Sequence, residues 1–566
     1  MNKLYFGDNL DVLREYVPAE SVDLIYLDPP FNSQVRYNVL FKTPSEDVES
    51  AQVEAFKDTW SWTPETTVTM AAIMRGGGEI ARLLDALRGV FGESDVMAYL
   101  VMMAIRLQEL RRVLKPTGSI YLHCDPTAGH YLKIIMDSIF GADAFINHVT
   151  WKRSHAHSDA AQGAKHFGRV TDFILFYSRS PDRTWNVQHT PYSQEYIDSD
   201  YRRVDADGRR FRISDMSGPG GAAKGNPFYE VMGVSRHWRY SREVMAGLIA
   251  EGRVVQTRPG AVPQMKRFLD EMPGVPLQEL WADVPIINNR SKESLGYPTQ
   301  KPLALLKRII LASSNEGDVV LDPFCGCGTS IEAAERTHRQ WIGIDIAIHA
   351  VKVIEARLED DRRAPAVFKT EGMPRDFESA VRLAEVDRYQ FQWWANYLFD
   401  PHALREQKKG ADRGIDGELF FPNGPGRTWG RMLTSVKSGH TSPNDVRAFA
   451  HVLDREGAQM GLFICLRSPT REMIRAAAAV GIADVVHGEL PKLQIVAIEE
   501  FFQGRNPPSL PPLEHLPSAA FAGRRRPAPQ RPDVEQPELP FTFVSGREER
   551  GVVRHLNPAM VSAARA

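Results

Sequence analysis

The chain has 566 residues, 43% of them hydrophobic and 25% charged, with a formal net charge of -2. That length predicts two or three domains, and the composition is that of a globular protein rather than a disordered or fibrous one. A near-neutral balance excludes a uniformly basic nucleic-acid binder, so DNA contact would have to come from local patches. The four cysteines, Cys124, Cys325, Cys327 and Cys465, have no Cys-x-x-Cys spacing, which argues against a zinc site and against a disulfide framework.

Met1 to Asp8 lacks the apolar run of a signal peptide, and no stretch approaches the length of a membrane span. The expectation is a cytoplasmic protein. Val22 to Leu27 is the first short apolar run, and it closes at Asp28. Short apolar runs closed by turn residues read as buried parallel strands. The chain then leaves through Asp28-Pro29-Pro30-Phe31-Asn32. Each proline fixes its φ and removes an N–H, so the loop is stiff and rich in acceptors. Such a loop suits an amino group that must lose a proton. The lone pair of an exocyclic base amine is delocalised into its ring. Hydrogen bonds from its N–H groups to Asp28 and the Pro29 carbonyl favour a tetrahedral nitrogen able to attack a methyl donor. Phe31 would stack on a base flipped out of the duplex. Taken alone, the same segment reads as a proline-stiffened turn.

Residues 45–92 read as a helical insertion. Ser119 to Leu122 is a further strand candidate leading to His123-Cys124-Asp125. From 151 to 290 the chain is polar, with Trp151-Lys152-Arg153, Arg202-Arg203 and Arg209-Arg210-Phe211-Arg212 as basic patches beside aromatics. That mixture suits phosphate contact and base stacking, and marks the region as a DNA-reading insertion. Val319 to Leu321 ends at Asp322, and Asp322-Pro323-Phe324-Cys325-Gly326-Cys327-Gly328-Thr329-Ser330 leads into a helix near Ile331 to Arg336. Gly326 and Gly328 let the backbone approach a ligand, but no Gly-Lys-Ser/Thr follows, so this is not a phosphate-binding loop. Trp341 to Ile344 ends at Asp345, where an acid can accept hydrogen bonds from ribose hydroxyls. Together they suit a nucleoside cofactor without phosphates, such as S-adenosylmethionine. Strands alternating with helices predict a doubly wound α/β sheet, with the acids at several strand ends converging on one crevice. Residues 376–502 resume a strand and helix pattern, and 503–566 read as a Pro-rich disordered tail.

On Gly7-Asp8-Asn9-Leu10, Asp28 to Asn32, Tyr297-Pro298-Thr299-Gln300-Lys301-Pro302 and Asp322 to Thr329, in that order, residues 1–358 resemble the beta-class amino-group DNA methyltransferases. The resemblance implies an S-adenosylmethionine-dependent methyltransferase fold with circularly permuted motif order. It assigns residues 1–150 as the catalytic half, 151–290 as target recognition and 291–360 as the cofactor half. It implies catalysis by Asp28, Pro29, Pro30 and Phe31. Asp8 would lie near the cofactor adenine, and Thr299, Lys301 and Pro302 would hold the methionine portion. Asp322, Phe324, Gly326, Gly328, Thr329 and Asp345 complete the cofactor site. An acid before Pro-Pro-Phe points to N6 of adenine, with N4 of cytosine as the alternative. RNA or protein amino groups form a rival class of target. The implied partner is double-stranded DNA, with a second copy of the chain and a cognate restriction subunit as further partners to consider.

In the C-terminal region, Gly414-Ile415-Asp416-Gly417 followed by Ser435-Val436-Lys437 resembles an Mrr-like restriction-endonuclease domain. The resemblance implies Asp416 as a magnesium ligand and Lys437 as the catalytic lysine. Ser435 departs from the pattern, because a neutral hydroxyl is a poor magnesium ligand where an acid or amide is expected, with Glu418 or Asp412 as the acids that could substitute. A non-cutting DNA-binding module is the competing expectation.

Overall fold

The computed structural model describes residues 2–30, 36–41, 51–57, 61–154, 165, 167–288, 291, 293–295, 297, 299–359, 366–399, 414–423, 429–486 and 488–511. Phe31, Asn32, Pro298 and Asp412 lie outside them. The chain divides into two compact units. The larger holds a nine-stranded sheet built from β1 (Asn2–Phe6), β2 (Val22–Leu27), β3 (Leu114–Cys124), β4 (Phe145–Lys152), β5 (Thr171–Ser178), β6 (Leu280–Trp281), β7 (Val319–Asp322), β8 (Gln340–Asp345) and β9 (Phe368–Glu371). The spatial order is β6-β4-β5-β3-β2-β7-β8-β1-β9. Only β5 runs antiparallel to its neighbours; all the other pairings are parallel.

All six residues of β2 are buried, as a strand covered on both faces must be. Asp23 is the polar exception, and it is satisfied. Lys115 Nζ donates to its two oxygens at 2.8 and 2.7 Å, and the Val319 N–H donates at 2.9 Å, so one carboxylate links β2, β3 and β7. Helices Asn9–Tyr16, Asp95–Val113 and Gly129–Phe140 share one apolar core with the central strands. Leu303–Ser313, Thr329–Arg336 and Ile348–Glu359 supply the crossovers that flank β7 and β8. The doubly wound mixed sheet expected from the sequence is therefore present.

Three expected boundaries move. The helical stretch placed at 45–92 begins at Pro64, with helices Pro64–Gly76 and Gly78–Phe91. Before it, Ala51–Lys57 is a strand paired antiparallel with Arg36–Phe41. The insertion placed at 151–290 is narrower, because β4 and β5 pair with each other inside the main sheet. The separate unit is Asn186–Gln278, with a four-stranded sheet, a hairpin and a core of Met216, Tyr229, Val231, Trp238, Met245 and Met265. Residues 503–511, placed in the tail, are described, and 512–566 lie outside the described residues. The Ser509 N–H donates to Gln494 Oε1 at 2.7 Å and Gln494 Nε2 donates to the Ser509 carbonyl at 2.8 Å, so residues 503–511 are tied to the fold.

The C-terminal part of the larger unit has its own four-stranded sheet, in the order β10 (Gly417–Pro422), β11 (Trp429–Lys437), β12 (Met460–Cys465) and β13 (Leu493–Ala497). The first pair is antiparallel and the rest are parallel, with helices Pro443–Glu456 and Arg471–Ala478 as crossovers.

Candidate active site

β2, β7, β8 and β1 are consecutive in the sheet and parallel, so their carboxyl ends open on one edge. Those ends carry Asp28, Asp322, Asp345 and Asp8 in that order. Ligands of open α/β sheets bind at this edge. A row of carboxylates repels phosphate and favours a ligand carrying positive charge.

Asp28 leaves β2 with its side chain 16% exposed. Lys301 Nζ donates to Asp28 Oδ2 in a direct ion pair. The other oxygen, Oδ1, is buried and accepts no hydrogen bond among the described residues. A buried acceptor left open costs roughly 1–3 kcal/mol, so it marks a place where a donor belongs. The backbone before Lys301 is unusual: Thr299 sits at φ 63°, left-handed for a β-branched residue. Pro302 occupies the N-cap of helix Leu303–Ser313, where the Glu293 carboxylate accepts the Leu303 N–H at 2.5 Å in place of a side-chain cap.

The turn after β7 is built by its own carboxylates. Asp322 Oδ1 accepts the Phe324 N–H at 3.0 Å, and its Oδ2 accepts the Ser330 hydroxyl. Burial pushes the Asp322 carboxyl up to about 7, with the charges of Asp28 and Asp345 adding to the shift. Asp345 Oδ2 accepts the Gly326 N–H at 2.8 Å and Oδ1 the Ala347 N–H at 2.8 Å. Burial likewise raises Asp345, to about 6. Each Asp345 oxygen keeps a second lone pair for a hydroxyl donor. Gly326 (φ 50°) and Gly328 (φ 74°) both lie in the left-handed region. A Cβ on Gly328 would stand 2.6 Å from Ile354 Cγ1, so the turn closes on helix Ile348–Glu359. A Cβ on Gly326 would stand in ordinary contact with the Tyr297 ring at 3.6 Å, so space does not forbid a side chain here. Acids at the strand ends and the unfilled Asp28 acceptor fit a cationic, phosphate-free nucleoside cofactor. Thr329 faces the other way: its hydroxyl accepts from Arg357 NH1 at 3.3 Å.

Several functional residues escaped the sequence reading. Arg106 donates to Asp8 Oδ2 and Asn9 Oδ1, each at 2.6 Å, and Asn9 Nδ2 donates to the Pro323 carbonyl at 2.7 Å. One arginine thus ties the β1 loop to the glycine turn. Asp8 also caps its own helix through the Leu10 N–H at 2.7 Å. Behind Asp28 runs a buried polar chain across three strands. Tyr26 Oη bonds His123 Nδ1 at 3.1 Å, His123 Nε2 bonds Asp172 Oδ2 at 3.3 Å, and Arg153 pairs with Asp172 at 3.2 Å. Asp172 accepts, so His123 donates from Nε2 and accepts the hydrogen bond of the Tyr26 hydroxyl at Nδ1. A cation within the apolar run Met97 to Leu107, and a histidine at a strand end, were the available signals for Arg106 and His123.

In the C-terminal sheet, Asp416 is buried and surrounded by donors. Gln392 Nε2 donates to Oδ1 at 3.0 Å, while Ser435 Oγ at 3.2 Å and the Val436 N–H at 2.7 Å donate to Oδ2. Lys437 Nζ stands 3.9 Å away. Asp416 and Lys437 are brought together as expected, but three uncharged donors and an ammonium are the wrong company for a hard cation. Among the described residues no group of three His, Cys, Asp or Glu could hold a metal. The residues present do not fit magnesium.

The strand-end acids and the glycine turn stand together at this edge of the sheet, and the comparison with known proteins gives the family. The family model described as DNA methylase matches residues 22–356, and the chain belongs to that family. The type II methyltransferase M.EcaI of Enterobacter cloacae is 30% identical over 297 residues, 52% of this chain and 65% of that protein. The DNA adenine methyltransferase YhdJ of Escherichia coli K12 is 49% identical over 359 residues, 62% of this chain and 81% of that protein. Among solved structures, the PvuII DNA methyltransferase, cytosine-N4-specific, aligns over 64% of this chain and 89% of that one, with 14% identity and a TM-score of 0.31. The chain thus spans just under two thirds of the length of M.EcaI.

Proposed function

We propose that the chain is a site-specific DNA methyltransferase acting on the N6 amino group of adenine, within a restriction–modification or related system. The observation that carries this is Asp28, with one oxygen held by Lys301 and the other buried and open. The adenine target draws support from the 49% identity with YhdJ; cytosine N4 is the alternative. When bound, S-adenosylmethionine supplies an electrophilic methyl group on a sulfonium. The Gly326–Gly328 turn, Asp345 and Asp322 hold it, and Asp8 with Arg106 closes the adenine end. Asp28 Oδ1 accepts one amino N–H of the base and the Pro29 carbonyl the other, which localises the nitrogen lone pair. Lys301 holds Asp28 Oδ2 in place while this happens. Asp28 then takes the proton that the methylated nitrogen sheds.

Asp28→Ala is expected to abolish transfer of radiolabelled methyl groups to DNA while leaving calorimetric cofactor affinity within about threefold, since no bond to the cofactor is lost. Undiminished labelling would sink the assignment. Running RNA and protein alongside DNA tests the substrate class, and base-resolved mapping separates adenine from cytosine.

For the C-terminal sheet we infer an endonuclease-like module that no longer cuts and serves to contact DNA. The donor-filled Asp416 site and Ser435 support this reading. Unmethylated supercoiled plasmid should stay supercoiled with magnesium, and nicking that is lost in Lys437→Ala would contradict it.

A further inference from the structure

The unit Asn186–Gln278 distributes its charges unevenly. The sequence patch at 209–212 is largely spent inside the fold. Arg209 bonds Asp270 at 2.9 and 3.0 Å and Glu271 at 2.7 Å, and lies 3.9 Å over the Phe268 ring. Arg253 shares Glu271 at 2.6 and 2.7 Å, Arg210 pairs with Asp198 at 3.2 Å, and Lys266 pairs with Asp205 at 2.7 Å. Neutralised cations of this kind have little left for phosphate.

The hairpin Phe228–Val231 and Val234–His237 is built differently. Its two-residue turn, Met232 (φ 47°) and Gly233 (φ 81°), has the left-handed geometry that matches strand twist. Tyr229 and Val231 point into the core. Phe228 points out, 60% exposed, with its ring 5.0 Å from that of its cross-strand partner His237. Met232 at the tip is 47% exposed. Between Asp215 and Glu243 the chain carries Lys224, Arg236, Arg239 and Arg242 against the acids Asp215, Glu230 and Glu243. All four cations are exposed, and none makes an ion pair among the described residues. Beside them lies a loop with Gly220, Gly221 and Gly225 left-handed, and a Cβ on Gly221 would come 3.2 Å from the His237 ring. The loop backbone therefore lies against the hairpin with little side chain between it and solvent.

We propose that this hairpin and the loop beside it, and not the 209–212 patch, form the DNA-contacting surface of the unit. Lys224, Arg236, Arg239 and Arg242 take phosphates, and Phe228, on the strand face opposite Arg236, stacks on an exposed base face. Exposed cations flanking an exposed ring suit a polyanion with stackable bases. The proposal rests on the DNA methyltransferase reading above.

The test uses the full chain. DNA affinity is measured across a salt series for the wild type, for the double variant Lys224→Ala with Arg236→Ala, for Phe228→Ala, and for the exposed control Arg258→Ala. In the double variant the slope of log affinity against log salt should fall by about 0.9 for each cation removed. Phe228→Ala should weaken binding on the order of tenfold with the slope unchanged. Arg258→Ala should match the wild type. Labelling of DNA by the wild type with unchanged affinities and slopes in the hairpin variants would overturn the surface but leave the methyltransferase reading standing. Wild type that neither binds nor labels DNA would overturn both.

Discussion

Asp28 and Lys301 make the sharpest statement at the scale of single residues. The family resemblance gives Lys301 to the methionine end of the cofactor, whereas its ammonium is bonded to the Asp28 carboxylate. The two roles have different kinetic signatures. Lys301→Met should lower kcat by about tenfold to a hundredfold with cofactor affinity unchanged, because it removes the cation that holds Asp28 Oδ2 in position. A rise in the cofactor dissociation constant with kcat preserved would return Lys301 to the cofactor. Asp322 gives a prediction about stability. Its carboxyl is raised to about 7, so between about pH 4 and 7 the folded chain holds a proton that the unfolded chain has released. Stability from this group is complete below pH 4 and is lost as pH rises through 7. Asp322→Asn mimics the protonated acid: its amide can donate to Ser330 and its carbonyl can accept the Phe324 N–H. The urea midpoint of the variant should therefore gain on the wild type between pH 4 and 8, by an amount on the order of 4 kcal/mol. Parallel profiles for the two proteins would show that Asp322 is ionised throughout.

At the scale of elements, the two glycines of the turn separate strain from space. Both are left-handed, so alanine costs about 1 kcal/mol of backbone strain at either position. Gly328→Ala also drives a methyl into Ile354, so helix Ile348–Glu359 must shift. Gly328→Ala should lower the melting temperature and abolish cofactor binding, while Gly326→Ala should melt near the wild type. Cofactor affinity of Gly326→Ala, measured by calorimetry, should fall because the strained φ shifts the N–H that Asp345 holds. The same elements show what could be read from the sequence. Val22 to Leu27, Val319 to Leu321 and Trp341 to Ile344 are strands within a residue of their expected ends, because a strand covered on both faces has to be apolar throughout. Ala51–Lys57 was misread because its Ala, Glu and Lys are depleted in strands, although Ala51, Val53 and Ala55 alternate with Gln52 and Glu54. The strand-end acids were legible, since topology alone brings them together. Arg106, His123 and Asp172 were not, because each meets its partner from about 50 to 100 positions away in sequence and only register aligns them.

At the scale of the whole molecule, helix Arg388–Tyr397 joins the cofactor-side crossover to the C-terminal sheet. Its Gln390 accepts the Ile348 N–H at 3.2 Å, and Tyr397 Oη bonds the buried His349 Nδ1 at 2.6 Å. From the same helix Gln392 holds the Asp416 carboxylate and Asn396 Nδ2 donates to its carbonyl at 3.1 Å. A single helix thus has one set of side chains on the wall behind the glycine turn and another on the centre around Lys437. The two parts should share stability without sharing chemistry. Tyr397→Phe removes the His349 bond at a cost of about 1 kcal/mol and should lower the melting temperature by about 2–4 °C. Because the bond lies on helix Ile348–Glu359, which packs on Gly328, cofactor affinity should weaken with it. Lys437→Ala, at the far end of the same connection and 39% exposed, should leave both the melting temperature and methyl transfer at wild-type values. Loss of transfer in Lys437→Ala without loss of stability would mean that the C-terminal centre acts in the methylation step itself.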